Sequence, residues 1–219
     1  MLVVEPVTLS GRLVSLEPLR AEHHDELVAA AADGELWNLW YTSIPRPEGM
    51  AAEIDRRLGL QQAGSMLPFT TRRNSDGRVI GMTTYMNIDA LTPRLEIGST
   101  WNARSAQGTG TNPESKLLLL SHAFDTLEVV AVEFRTSWAN LQSREAIARL
   151  GAKQDGLLRN HSRVHDDVLR DTVVFSILPH EWPAVRQGLE YRLAGRTHSA
   201  APADGAAQVS RSAAARNRS

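Results

Sequence analysis

Two glycines stand directly ahead of a helix-start signal in the stretch QGTGTNPESK, residues 107–116. Glycine allows the backbone to approach a ligand closely, and the N–H groups at the start of a helix bind anions. A dinucleotide-binding fingerprint needs a third glycine where this chain has Pro113, and the sequence contains no nucleotide P-loop pattern. The stretch therefore predicts either a cradle for a phosphate or a tight strand-to-helix turn that needs glycines for geometry alone.

Residues that could transfer protons lie on both sides of this stretch. Glu96 stands between two apolar residues in RLEIGSTW, so it is either a general base or part of the solvated face of a strand. Asn140 and Ser143 stand three residues apart at the start of a predicted helix, where an N-cap and a first-turn donor are the simplest roles. The chain has no cysteine, which excludes a thiol nucleophile and thiolate metal ligands.

Two further stretches carry residue types that bind metals or substrates. HSRVHDD, residues 161–167, has two histidines four positions apart and two aspartates, but no other cluster of metal ligands accompanies them, so we expect no metal site. Trp37, Trp40 and Tyr41 lie close together in ELWNLWYTSIP. These three aromatic residues either pack in the core or line a binding cleft.

Hydrophobic periodicity predicts the elements that must position these residues. Apolar alternation or continuous apolar runs predict strands at 9–19, 67–73, 79–88, 94–101, 129–137, 152–158 and 171–178. Helical spacing predicts helices at 21–32, 47–63, 112–127 and 140–151. Asn112 is the expected N-cap of the third helix, and Gly151 is the expected end of the fourth. Hairpins with helices between strands favour a mixed α/β fold.

Composition places the chain among ordinary globular proteins. It has 219 residues, 42% of them hydrophobic, and a net charge of −1, so charge gives no reason to expect nucleic acid or an anionic membrane as a partner. No apolar run approaches the roughly 18 residues of a membrane span, and the first residues lack a signal-peptide pattern, so we expect a cytoplasmic protein. We expect one domain at 1–193 and a disordered, alanine-rich tail at 194–219.

An ordered series of segments resembles the GNAT superfamily of acyl-CoA-dependent N-acetyltransferases, in the branch of the RimJ and RimL enzymes, which acetylate N-termini of ribosomal proteins. After the glycine stretch and its helix, the matching residues are Arg135-Thr136, Asn140-x-x-Ser143, Ala146-Ile147, Leu150-Gly151, Asp155-Gly156 with Arg159, Arg170-Asp171-Thr172 and Phe175-Ser176-Ile177. The resemblance covers about residues 9–185. It implies a GNAT-type fold, with a central, mostly antiparallel sheet of about seven strands flanked by helices.

The same resemblance implies acetyl-CoA as co-substrate, with no metal, and assigns roles to individual residues. Glu96 would be the base, Asn140 would contact the pantetheine arm, and Ser143 would lie near the sulfur. The diphosphate would lie on Gln107, Gly108, Thr109, Gly110, Thr111 and Asn112. The chain departs from the family at Ser105, where the usual residue is arginine or glutamine, and at Ile147, where many members have a tyrosine acid.

The acceptor implied by the resemblance is a primary amine: a protein N-terminus, an amino acid or a small amine. It would lie between the early aromatic residues (Trp37, Trp40, Tyr41) and the 161–167 stretch (His161, Asp166, Asp167), whose aspartates could attract a cationic amine. Two alternatives are a non-catalytic acyl-CoA binder on the same fold and a nucleotide-binding α/β protein. The missing third glycine argues against the second. The sequence gives no indication of oligomeric state.

Overall fold

The computed structural model describes residues 2–163 and 167–199. Eight strands are found in these residues: β1 (Leu9–Ser10), β2 (Val14–Pro18), β3 (Met66–Arg73), β4 (Val79–Asp89), β5 (Arg94–Asn102), β6 (Ala131–Ser137), β7 (Lys153–Arg163) and β8 (Leu169–Ile177). The α-helices of this part of the chain are α1 (His24–Ala32), α2 (Met50–Gln62), α3 (Thr111–Ser121), α4 (Leu141–Leu150) and α5 (Trp182–Ser199).

The strands form one open sheet in the order β1-β2-β3-β4-β5-β6-β8-β7. Every neighbouring pair is antiparallel except β5 and β6, which run parallel. Parallel pairing between β5 and β6 extends only from Arg94↔Ala131 to Glu96↔Glu133, although β5 continues to Asn102 and β6 to Ser137. A gap therefore opens in the middle of the sheet immediately after Glu96.

Helices cover both faces of the sheet and enclose two apolar clusters. The first cluster lies under α3 and α5 and is centred on Tyr85, Phe134 and Trp182. The second lies under α1 and α2, which pack on β4 and β3, and includes Met82 and Trp101. Because Met82 and Tyr85 stand on opposite faces of β4, the two clusters occupy opposite sides of the sheet.

Glu114 of α3 ties this helix to the first hairpin. Its carboxylate accepts hydrogen bonds from the backbone N–H groups of Arg12 (3.2 Å), Leu13 (2.5 Å) and Val14 (2.8 Å). A Cβ on Gly11 would lie 2.6 Å from Glu114 Oε2, so a glycine is needed at that position. The helix that follows the glycine stretch is thus held by a contact about one hundred residues away in sequence.

The mixed α/β fold and the mostly antiparallel sheet are confirmed, and several element boundaries differ from the prediction. The sheet has eight strands, because the predicted first strand is a short hairpin, β1–β2. The prediction of Asn112 as N-cap is wrong: the helix begins at Thr111 after Gly110, whose φ of 98° lies in the left-handed region. The α5 helix was not predicted, and it makes residues 194–199 helical rather than part of a tail. Residues 200–219 lie outside the described residues.

Candidate active site

Glu96 lies where the parallel pairing of β5 and β6 ends, with only 5% of its surface exposed. Asn87 Nδ2 donates a hydrogen bond to its Oε2 at 2.7 Å, and Arg135 Nε lies 3.5 Å from the same oxygen. A Cβ on Gly98 would lie 2.8 Å from Glu96 Oε1. A glycine at this position therefore avoids a steric clash with the Glu96 carboxylate. Burial excludes the alternative that Glu96 belongs to a solvated strand face.

The surroundings of Glu96 make its carboxylate easier to protonate than an exposed one. Burial raises the pKa of its carboxyl, and the hydrogen bond from Asn87 and the charges of Arg135, Arg170 and His161 oppose that rise. A carboxylate with a raised pKa is a stronger base, and it can take a proton from an amine bound nearby.

A β-bulge bends β5 between Glu96 and the glycine stretch. Thr84 pairs with Gly98 and Met82 with Trp101, so two residues of β5, Ser99 and Thr100, stand opposite one residue of β4. Ser99 has a φ of 47°, in the left-handed region. Bulges increase local twist and bend the strand, and this one lies where β5 leaves β6.

Two buried basic side chains hold the bulge from opposite faces of the sheet. Arg57 of α2, 3% exposed, donates to Thr84 Oγ1 at 2.7 Å and lies 3.5 Å from the Ser99 carbonyl oxygen. Lys116 of α3 donates to Thr100 Oγ1 at 2.9 Å. Burial lowers the pKa of Lys116 to about 7. Arg57 is neutralised by Glu53 at 2.7 Å, whereas Lys116 has no carboxylate within ion-pair distance among the described residues.

The glycine stretch forms a loop at the carboxyl end of β5. Gly108 has a φ of 76°, and a Cβ built on it meets nothing within 4 Å, so its outer side faces open space. The hydroxyls of Thr109 and Thr111 both donate to the Ala106 carbonyl oxygen, at 2.6 and 3.0 Å. Because these side chains are engaged within the loop, a bound phosphate would be contacted mainly by backbone N–H groups at the start of α3.

The two remaining polar residues of the predicted cradle, Gln107 and Asn112, differ in their contacts. Gln107 Nε2 donates to the Asn102 carbonyl oxygen at 3.1 Å, which fixes the loop to the end of β5. Asn112 Oδ1 is buried and has no hydrogen-bond partner in the part of the chain that the structure describes. Apart from Asn112, the polar side chains of the loop stabilise its shape, and its backbone N–H groups are the candidates for contact with an anion.

Asn140 and Ser143 lie across the gap, where β6 leads into α4. Asn140 Oδ1 accepts a hydrogen bond from the Ser143 backbone N–H at 3.0 Å, which confirms the predicted N-cap. Gly151 ends α4 with a φ of 102°, also as predicted. The cap uses the Asn140 oxygen, so its side-chain nitrogen is the group that could contact a pantetheine amide.

The predicted acceptor residues occupy different environments. Trp40 is 61% exposed and meets Tyr41 edge to face at 5.7 Å, whereas Trp37 is partly buried against the second cluster. His161 Nδ1 lies 3.2 Å from Thr172 Oγ1, and Asp167 pairs with Arg163 at 3.8 Å. Asp166 lies outside the described residues.

Three residues near Glu96 were not predicted as site residues. Asn87 and Arg135 contact the carboxylate directly, and Arg170 is coupled to it electrostatically. Arg135 and Arg170 stood in the segments that carry the family resemblance, but no local pattern indicated that they meet Glu96. Among residues 2–163 and 167–199, no group of three or more histidines and carboxylates could hold a metal ion, and no helix is long and apolar enough to cross a membrane.

The chain is similar in sequence and in fold to known acetyltransferases. YdaF of Bacillus subtilis (strain 168), named as a ribosomal N-acetyltransferase, is 31% identical over 107 residues, which are 49% of this chain and 57% of that protein. This alignment spans less than two thirds of that relative. A solved GCN5-related N-acetyltransferase of Brucella melitensis is 30% identical, with a TM-score of 0.77, over 87% of this chain and 86% of the other.

RimJ of Mycobacterium smegmatis, solved in complex with CoA-disulfide, shares the fold. It is 24% identical with a TM-score of 0.73, and the match covers 87% of this chain and 96% of RimJ. Residues 13–153 match the family described as the acetyltransferase (GNAT) domain, a range that includes Glu96, the bulge, the glycine loop and the start of α4. The chain belongs to the GNAT family of acetyltransferases.

Proposed function

We propose that the protein is an N-acetyltransferase that moves an acetyl group from acetyl-CoA to a primary amine. The observation that carries the proposal is the placement of a buried, base-capable Glu96 at the mouth of the gap between β5 and β6. The glycine loop lies at the far end of the same strand. One strand thus links the proposed proton acceptor to the proposed anion cradle, the two sites that acetyl transfer from a phosphate-bearing thioester would use.

The residues of the loop and the gap fit coenzyme A. Backbone N–H groups at the start of α3 would hold its diphosphate, and the open space beside Gly108 leaves room for it. The Asn140 side-chain nitrogen and the strand edges left unpaired beyond Glu96 supply polar groups for the amides of the pantetheine arm. Bound there, acetyl-CoA would supply an activated acetyl group on a thiol.

The protein's own residues would accept the proton of the amine and position the two reactants. Glu96 would accept the proton of the attacking amine, and the bulge held by Arg57 and Lys116 would fix the strand along which the thioester lies. A thiol with a pKa near 8.5 leaves without compulsory protonation, so Ser143 is expected to assist only modestly. Alignment of the two reactants accounts for much of the rate.

We propose a protein or peptide N-terminus as the acceptor. The relative YdaF is named as a ribosomal N-acetyltransferase, which supports this class. Chemistry supports it too: an α-amino group titrates near 7.7–8.0 and a lysine amine near 10.4, so a larger share of α-amines is neutral and nucleophilic at neutral pH.

An acceptor screen tests the proposed function. The protein would be mixed with acetyl-CoA and, in turn, with N-terminal peptides, free amino acids, lysine side-chain analogues and polyamines. We expect thiol release, with mass spectrometry locating the acetyl group on an α-amine. Tight binding of coenzyme A without thiol release for any acceptor would instead support a non-catalytic acyl-CoA binder.

A further inference from the structure

A cluster of charged residues surrounds Glu96 on the face of the sheet that carries α1 and α2. The register places Glu96 beside Glu133, and the alternation of β6 puts Arg135 on the same face. Along β8, the antiparallel pairing of Arg135 with Val174 puts Thr172 and Arg170 on this face as well. The helices α1 and α2 pack on β3 and β4, so this charged face lies beside them, next to the gap.

The positive charges of this cluster exceed the negative ones. Glu133 pairs with Arg94 and with Arg135, the latter at 2.9 Å, and Glu96 lies 3.5 Å from Arg135. Arg170 has no ion pair within 4 Å among the described residues, although the charge of Glu96 acts on it. In the part of the chain that the structure describes, three guanidinium groups therefore face two carboxylates.

Arg170 is also incompletely hydrogen-bonded. Its side chain is half-buried, and its Nε is buried without a hydrogen-bond partner in the described part of the chain. A partly buried guanidinium group with an unsatisfied N–H donor destabilises the folded protein unless a ligand accepts a hydrogen bond from it. Arg170 lies at the start of β8, at the base of the segment that joins β7 and β8, close enough to Glu96 to respond to its charge.

We propose that Arg170 binds a carboxylate of the acceptor and holds the acceptor amine toward Glu96. This inference rests on the proposed function and narrows its substrate class to primary amines that carry a carboxylate nearby, in a free amino acid or in the first two residues of a peptide. The planar guanidinium fork pairs with a carboxylate through two parallel hydrogen bonds. A polyamine would instead add positive charge to a cluster that already has an excess.

The proposal differs from the expectation that acidic residues of the 161–167 stretch attract a cationic amine, which stays a prediction. Asp167 pairs with Arg163 at 3.8 Å, and Asp166 lies outside the described residues. Two sources can supply the acceptor carboxylate. One is the α-carboxylate of a free amino acid, and the other is an acidic side chain within the first two residues of a peptide.

Matched acceptor pairs distinguish these sources. The first pair is a free amino acid and its carboxamide, and the second is two amide-blocked peptides that differ by glutamate or glutamine at the second residue. For the wild-type protein, kcat/KM from thiol release should be about tenfold or more higher for the carboxylate member of at least one pair. The pair that shows the preference identifies the source.

Substitutions test whether Arg170 carries the preference. Arg170→Gln should bring the ratio of kcat/KM between the two members of that pair close to one, and it should leave the KM for acetyl-CoA unchanged. Arg170→Lys should keep part of the preference for the carboxylate. Arg78→Gln removes the same charge from a position that is 80% exposed, in the turn before β4, and should leave the ratio unchanged. Melting temperatures and coenzyme A binding establish that each variant is folded.

The possible results distinguish a failure of this inference from a failure of the proposed function. Equal kcat/KM values within both wild-type pairs, or a preference that survives in Arg170→Gln, would overturn the role of Arg170 while acetyl transfer stands. The absence of thiol release with every acceptor would overturn the proposed function, and the inference with it.

Discussion

At the scale of single residues, Asn87 should tune the pKa of Glu96, the proposed base. Its φ of 49° is a left-handed value that glycine also adopts, so Asn87→Gly removes the donor to Glu96 and retains the backbone. That hydrogen bond favours the charged carboxylate, so its loss should raise the pKa of Glu96 further. The catalytic base must be deprotonated, and the acidic limb of the profile of kcat/KM against pH should therefore move to higher pH. A limb that does not move would show that Glu96 is not the titrating base.

Lys116 provides a second residue-scale prediction, which concerns stability. The folded state lowers its pKa to about 7 from an ordinary 10.5. The unfolded chain therefore binds more protons between these values, and the contribution of Lys116 to stability should rise with pH across that window. Relative to Lys116→Met, the wild-type free energy of unfolding should increase from pH 7 to 9, by up to about 1.4 kcal/mol per pH unit. Denaturant unfolding at the two pH values measures it, and a constant difference would contradict it.

At the scale of elements, the glycine loop should bind the cofactor through its backbone. Gly108→Val places a β-branched residue at a φ of 76° and fills the open space beside the loop. The affinity for coenzyme A, measured by calorimetry, should fall about tenfold or more. Gly64→Val is the matched control, because Gly64 has a φ of 74° and nothing within 4 Å of a Cβ. Equal losses of affinity in the two variants would point to general backbone strain.

The sequence predicted the ends of a helix correctly where the capping residue contacts its close neighbours in the chain. The ends of α4 follow from Asn140, which accepts from the next turn, and from Gly151 with its left-handed backbone. The start of α3 was misplaced because Gly110 takes a conformation that sequence does not show. The α5 helix was missed, although Trp182, Val185 and Leu189 are spaced to bury one helical face.

At the scale of the whole molecule, the site depends on contacts between residues distant in sequence. Burial identifies Glu96 as a candidate base, and that burial arises from the β5–β6 pairing, from Gly98 and from Arg135. The hydrophobic periodicity of the sequence predicts neither the gap between β5 and β6 nor the excess positive charge around Arg170. The family resemblance supplied the general location, and the three-dimensional structure supplied the partners.

The last helix should be essential to the folded domain although it follows the residues that match the family. Trp182 is buried, stacks on Phe124 at 5.6 Å and donates to Asp125 at 3.0 Å. Trp182→Ala should therefore lower the free energy of unfolding by about 3–5 kcal/mol. Tyr191→Ala in the same helix is the control, since Tyr191 is 80% exposed and its loss should change stability little. Similar losses in both variants would argue against docking of α5 through Trp182.

In the proposed acetyl transfer, Glu96 accepts the proton of the amine. The most direct measurement compares wild type and Glu96→Gln by steady-state thiol release, with coenzyme A binding measured by calorimetry on the same samples. Glutamine keeps the size of the side chain and removes the basic oxygen, so kcat should fall about 100-fold or more while coenzyme A affinity changes little. A Glu96→Gln variant with the kcat of the wild type would contradict the claim.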